Sequence, residues 1–260
     1  MNRISAVFMA LLAGAMTLFL TACVTTETGG FTDAASPDMA LERRVELARN
    51  YIGEGNWNDA KRNLKLAADI DPDNPEVHEA YALVYQSTGE FELAEEHFER
   101  AISLDREFSR ARNNYAAFLF SQSRYEEAEK QLEFVVQDTL YEARPQSFVN
   151  LGLCRLQLFD PAGAEQAFVR ALSMDRGNVI ALLETAILRF DAADYESATR
   201  YYNGYRRSVR QQSARALWLG VRLSRETGDR DAESSYGMAL SNRYPKSAEY
   251  EAYQRGKGND

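Results

Sequence analysis

Small apolar residues recur along this chain at a nearly constant step, each flanked by larger apolar residues at similar offsets. Ala60, Ala94, Ala128, Ala164, Ala198 and Ala232 follow one another at intervals of 34, 34, 36, 34 and 34 residues. Around each alanine the apolar positions keep helical spacing, and the pattern predicts two antiparallel helices per interval. A unit of that length cannot bury its own apolar face. The units should therefore stack on one another into a single continuous all-α core that counts as one domain, an architecture that ordinarily binds partners.

Six units can be laid out, at 41–74, 75–108, 109–144, 145–178, 179–212 and 213–246, with a polar helical cap at 247–256. The second is typical: Tyr81, Ala82, Tyr85, Ala94, Phe98 and Ala101 stand at positions 7, 8, 11, 20, 24 and 27 of the unit. The first offers Leu47, Ala48, Tyr51, Ala60, Leu64 and Ala67, the third Tyr115, Ala116, Leu119, Ala128 and Leu132, and the fourth Leu151, Gly152, Ala164, Phe168 and Ala171. The fifth is weaker, with Thr185 and Tyr205 at positions that want Leu and Ala, and the sixth recovers with Leu219, Gly220, Leu223, Ala232, Tyr236 and Ala239. Small residues at 8 and 20 let the paired helices approach, and large ones at 7, 11 and 24 fill the space between layers. Arg155 and Arg189 interrupt this at position 11 of units four and five. Gly55 and Gly89 fall where a left-handed residue ends the first helix, and Asp160-Pro161 supplies a cap and a first helical residue. This register resembles the tetratricopeptide repeat, which implies a right-handed superhelix of about six helix-turn-helix units plus a C-terminal capping helix.

The first residues follow another pattern. Met1-Asn2-Arg3 gives a short positive start, and Ile4 to Leu20 is an uncharged apolar run of 17 residues, marginal for a permanent membrane span. It ends in Leu20-Thr21-Ala22-Cys23, which resembles a bacterial lipobox. The resemblance implies removal of a signal peptide at 1–22, diacylglycerol and an N-acyl group on Cys23, and anchoring that several acyl chains secure at about 0.8 kcal/mol per buried methylene. Val24 follows the cysteine where many inner-membrane lipoproteins have Asp, which points to the periplasmic face of the outer membrane. Residues 23–38 are small and polar without a helical period and read as a tether, reaching about 50 Å fully extended and averaging nearer 20 Å as a coil. An uncleaved helical anchor is the alternative.

Charge and candidate chemistry narrow the function further. Asp and Glu outnumber Lys and Arg by 39 to 30, so nucleic acid is not an expected partner. His78 and His97 share no metal motif, no glycine-rich phosphate loop occurs, and pairs such as Glu95-Glu96 and Glu126-Glu127 fall on second helices where solvated faces are normal. No cofactor is expected beyond the lipid, and an enzyme is not. Cys154, between Leu153 and Leu156 in mid-helix, reads as a small buried hydrophobe. The inner wall of such an array comes from the first helix of each unit. Its positions in units three to five include Asn113, Phe120, Val149, Leu153, Leu156, Leu183, Ile187 and Phe190, an apolar run that marks a partner surface unless neighbouring units cover it. Arg49 and Asn114 are isolated echoes of the pair that clamps a peptide carboxylate in some repeat proteins. Residues 200 to 230 hold eight arginines against Glu226 and Asp229, either a solvated face or a field that orients a partner.

Longer segments are more particular than the repeat. Asn113-Asn114-Tyr115 to Phe118-Leu119, Arg124-Tyr125-Glu126-Glu127-Ala128, Tyr141, Arg144 and Asn150-Leu151-Gly152-Leu153-Cys154 resemble the type IV pilus biogenesis lipoproteins (the PilF/PilW family). Trp218-Leu219-Gly220-Val221-Arg222, Gly228-Asp229-Arg230-Asp231-Ala232 and Arg243-Tyr244-Pro245-Lys246-Ser247 look like that family's closing repeat. The resemblance implies a pilotin: a monomer carried to the outer membrane by the lipoprotein sorting machinery, whose repeats bind subunits of the pilus secretin and favour their multimerisation. A periplasmic repeat lipoprotein that scaffolds cell-wall enzymes or outer-membrane protein assembly is the alternative. The 36-residue interval places two extra residues near Tyr141 to Pro145, where a specialised joint between the third and fourth units is expected.

Overall fold

The computed structural model describes residues 36–257, and the signal peptide, Cys23 and most of the tether lie outside them. The chain divides into a unit of residues 1–40 and a unit of residues 41–260. The described residues form thirteen helices and no strand: α1 (Pro37–Gly53), α2 (Trp57–Ala68), α3 (Pro75–Thr88), α4 (Phe91–Leu104), α5 (Ser109–Ser121), α6 (Tyr125–Val135), α7 (Arg144–Gln157), α8 (Pro161–Met174), α9 (Val179–Asp191), α10 (Tyr195–Ser208), α11 (Ala214–Thr227), α12 (Arg230–Arg243) and α13 (Ala248–Lys257). Six helix pairs and a closing helix follow the expected register. The first helix begins inside the segment read as tether, because Ser36 accepts from the Met39 amide and Pro37 suits a first helical turn.

The alanine register is the core. Ala60, Ala94, Ala128, Ala164 and Ala198 have no exposed surface, and Leu64, Phe98, Leu132 and Phe168 at position 24 are likewise sealed. Gly152 shows why position 8 stays small: a Cβ there would lie 2.5 Å from the Phe168 ring. Leu47 departs from the register at 38% exposure, while Val45 and Ala48 take the buried side of α1 against Ala60, Leu64 and Val77. At the other end Tyr253 of α13 packs with Leu217, Val221 and Leu240, covering the sixth unit as a cap should.

The turn inside each of the first five units uses a left-handed residue at one equivalent place: Gly55, Gly89, Ser123, Phe159 and Ala193. Phe159 is the least suited to it, with φ of 58° and 92% exposure. A left-handed non-glycine residue costs about 1–2 kcal/mol, and glycine gives back part of that through the unfolded chain. Phe159→Gly should therefore stabilise the fold by about 0.5–1 kcal/mol, read as a higher melting temperature. A lower one would show that the ring is held by contacts worth more than the strain.

The joint between the third and fourth units carries the two extra residues as expected. α6 stops at Val135, and the linker folds on itself: Asp138 accepts from the Ser109 hydroxyl at 2.6 Å and the Leu140 amide at 2.9 Å, and Arg144 donates to the Val136 carbonyl at 2.8 Å. The Ser109 hydrogen bond is the leading cause that holds the Asp138 carboxyl below its ordinary value.

Candidate partner-binding surface

First helices of successive units touch one another in a row, α3 to α5, α5 to α7 and α9 to α11, and this row carries the residues assigned to the inner wall. The structure divides them. Val149 is fully buried between α8 and Ala181, and Leu183 and Phe190 are buried with Ala186, Ala198 and Tyr202. These three belong to the core, because the neighbouring unit closes over them. The Arg222 guanidinium adds a cover over the Phe190 ring at 4.0 Å. Phe120, Leu153, Leu156 and Ile187 remain half-exposed along the row, as does Asn113.

Phe120 and Leu153 share an apolar cavity of about 110 Å³ between α5 and α7, lined also by Ala116, Ala117, Leu132, Asn150 and Cys154. Its shape follows from the sequence. Ala117 is exposed and small at a position where Leu153 stands in the next unit, so a hole opens between two larger side chains. The Phe120 ring is pinned edge-on against Tyr125 at 5.1 Å. Asn150 lines the pocket and is held by its neighbours: its amide and the Ser147 hydroxyl donate to the Asn113 side-chain oxygen at 3.4 and 2.9 Å, and it accepts from Gln146 at 3.0 Å. An apolar pocket with one side-chain amide, Asn150, in its wall suits an apolar side chain and the polar backbone that carries it. A larger open cleft of about 440 Å³ includes Glu99, Arg106, Arg112, Glu127 and Lys130 in its lining. Its charges are partly spent internally, with Arg112 on Gln131 and the Arg106 carbonyl and Glu127 on Arg124, and it offers less apolar recognition.

Cys154 borders the pocket yet is 1% exposed, and burial pushes its thiol up to about 12. A neutral thiol is a poor nucleophile. In a Cys23→Ala chain, a disulfide reagent at pH 8 should leave Cys154 untouched until urea unfolds the protein; rapid native labelling would contradict this burial.

Arg49 and Asn114, read as isolated in sequence, meet. Both address Glu79, which is 1% exposed: Arg49 donates to it at 2.5 Å and Asn114 at 2.6 Å, with the Arg110 guanidinium 3.8 Å away. Glu76 adds a second carboxylate to both arginines. The clamp-like pair is thus filled by a carboxylate of the protein itself, joining α1, α3 and α5. Burial holds the Tyr141 phenol above its ordinary value, with the charge of Arg110 opposing and that of Glu79 reinforcing, so the inserted linker faces the same cluster.

The position-11 arginines are also accounted for. Arg155 donates to Glu129 at 2.8 Å and Glu133 at 2.9 Å on α6, and Arg189 pairs with Glu165 and Asp194. Several arginines of 200–230 find partners outside that window, Arg215 on Glu184, Arg222 on Asp191 and Arg225 on Glu233, so the segment is less free a positive field than its sequence suggests. Tyr115 and Arg124 both engage Glu95, so this carboxylate is structural. Among the described residues no three of His, Cys, Asp and Glu gather to hold a metal, and no helix is long and apolar enough to cross a membrane.

Helix pairs in this register, with small residues at the crossings and a row of first helices bearing a pocket, define a superhelical tetratricopeptide-repeat protein, and the tetratricopeptide repeat family model matches residues 45–106 and 82–147. The type IV pilus assembly protein PilF of Pseudomonas aeruginosa is 38% identical over 239 residues, 92% of this chain and 94% of the relative. The chain belongs to that type IV pilus biogenesis family. A solved structure of Pseudomonas aeruginosa PilF covers 85% of this chain and 99% of its own, with a TM-score of 0.81 and 39% identity. PilW, a widely conserved type IV pilus biogenesis factor, has the same fold at 24% identity and a TM-score of 0.69, covering 82% of this chain and 97% of its own.

Proposed function

We propose that this protein is a lipid-anchored pilotin: Cys23 carries the acyl chains, the lipoprotein sorting machinery delivers it to the periplasmic face of the outer membrane, and the first-helix row binds secretin subunits. The observation that carries this reading is the match to a pilus assembly protein along nearly the whole chain. The half-open pocket at Phe120 and Leu153 supports a docking role, since it suits an apolar anchor on a partner segment. Catalysis is not required. Tethering raises the effective concentration of subunits at the membrane, which favours insertion and multimerisation by mass action.

Deleting the gene should reduce heat-resistant secretin multimers in the outer membrane, seen by fractionation without boiling; normal amounts would overturn the pilotin reading. Cys23→Ala should leave the repeats folded and release them from the outer-membrane fraction, and unchanged fractionation would count against the lipid anchor. Recovery of cell-wall hydrolases in place of secretin would favour the scaffolding role.

A further inference from the structure

His78 and His97 do not line the pocket and take no part in the proposed docking, yet the fold brings them together. His78 is on α3 and His97 on α4 of the same helix pair, and their Nδ1 atoms lie 2.9 Å apart. The Nε2 atom of His78 is 3.0 Å from the Pro72 carbonyl oxygen. A carbonyl only accepts, so Nε2 carries the proton, and the Nδ1 lone pair of His78 accepts from the Nδ1–H of His97. A backbone carbonyl that fixes the tautomer in this way is the usual outer partner of a metal-bound imidazole. The His97 ring is held in place by Tyr81 and Tyr85, whose ring centroids lie 5.1 and 5.3 Å from it. The pair opens on a cavity of about 380 Å³ lined also by Glu96, Glu99, Arg100 and Ser103, so water has access to it.

We propose that His78 and His97 form a zinc-class metal site that clips α3 to α4, with two imidazole Nδ1 ligands and solvent water in the remaining positions. Zinc–nitrogen bonds of about 2.0–2.1 Å at a tetrahedral angle need the two nitrogens roughly 3.3 Å apart. The two nitrogens must separate by a few tenths of an ångström, and the rings must turn so that both lone pairs meet at the metal, giving up the hydrogen bond that now joins them. His97 moves its proton from Nδ1 to Nε2 on binding, and no ligand has to be lifted out of a second helix pair. Two protein ligands make the site exchangeable, unlike a closed structural centre with four.

The test is calorimetric titration of Zn²⁺ into the untagged full-length chain in detergent, free of chelators, beside His78→Gln and His97→Phe. The phenyl ring of the second variant keeps the packing between Tyr81 and Tyr85, and circular dichroism checks the fold of both. One equivalent should bind, the melting temperature should rise with zinc concentration, and each variant should bind at least roughly ten-fold more weakly. X-ray absorption should show two imidazole nitrogens in the zinc shell. Absence of saturable binding, undiminished binding in either folded variant, or an all-oxygen shell would each overturn the site.

Discussion

Arg49→Ala is expected to destabilise the repeat domain by about 2–3 kcal/mol, measured by urea unfolding. Glu79 is 1% exposed and has Arg49 at 2.5 Å, Asn114 at 2.6 Å and Arg110 at 3.8 Å. Removing one partner of a buried ion pair typically costs about 3–5 kcal/mol, because the other charge is left without compensation. Here the loss is smaller, since the Arg49 side chain is 26% exposed and Arg110 stays close enough to offset part of it. Adding Glu79→Gln to Arg49→Ala should recover part of the stability, because the stranded charge is then gone. A change below about 0.5 kcal/mol, the level of an ordinary surface substitution, would show that the cluster is not a stabilising element.

If the first-helix row docks secretin as proposed, Ala117→Asp is expected to weaken that binding by about thirty-fold or more, the equivalent of a hot spot of about 2 kcal/mol. Ala117 is exposed, so the new carboxylate costs the fold little beyond helix propensity. In the complex the same group would sit at the mouth of the cavity between Phe120 and Leu153, where a partner's apolar side chain would have to desolvate it. Ala162→Asp, also exposed but on α8, is the matched control and should bind as the unmodified chain does. Equal binding by both variants would remove the pocket from the docking surface while leaving the pilus family assignment intact.

The sequence announced the fold because its signal is local. A small residue at position 20 must be buried wherever two helices cross, and Ala60 through Ala198 are sealed, with only Ala232 half-buried near the end of the array. The candidate surface was legible in part. Position in the repeat says which helix a residue occupies, but how far one unit rotates over the next decides whether Val149 and Leu183 are covered or Leu153 and Ile187 are left open. Ala117 was missed because a small residue looks inert; flanked by larger ones in the neighbouring turns, it marks a hole. Glu79 was invisible for a different reason, since its partners come from two other units and no single repeat contains the cluster. His78 and His97, 19 residues apart, could have been found by folding the hairpin on paper, where they face each other across its two helices.

Arrays of this type usually unravel one unit at a time from an end, each unit holding only its neighbour. Glu79 alters that at the amino-terminal end, for one carboxylate stitches Arg49 of the first unit to Asn114 of the third. The first unit cannot fray without stranding a charge that the second and third also depend on. Hydrogen exchange should therefore find α1, α3 and α5 opening as one block, so that a pull applied at this end would meet three units at once.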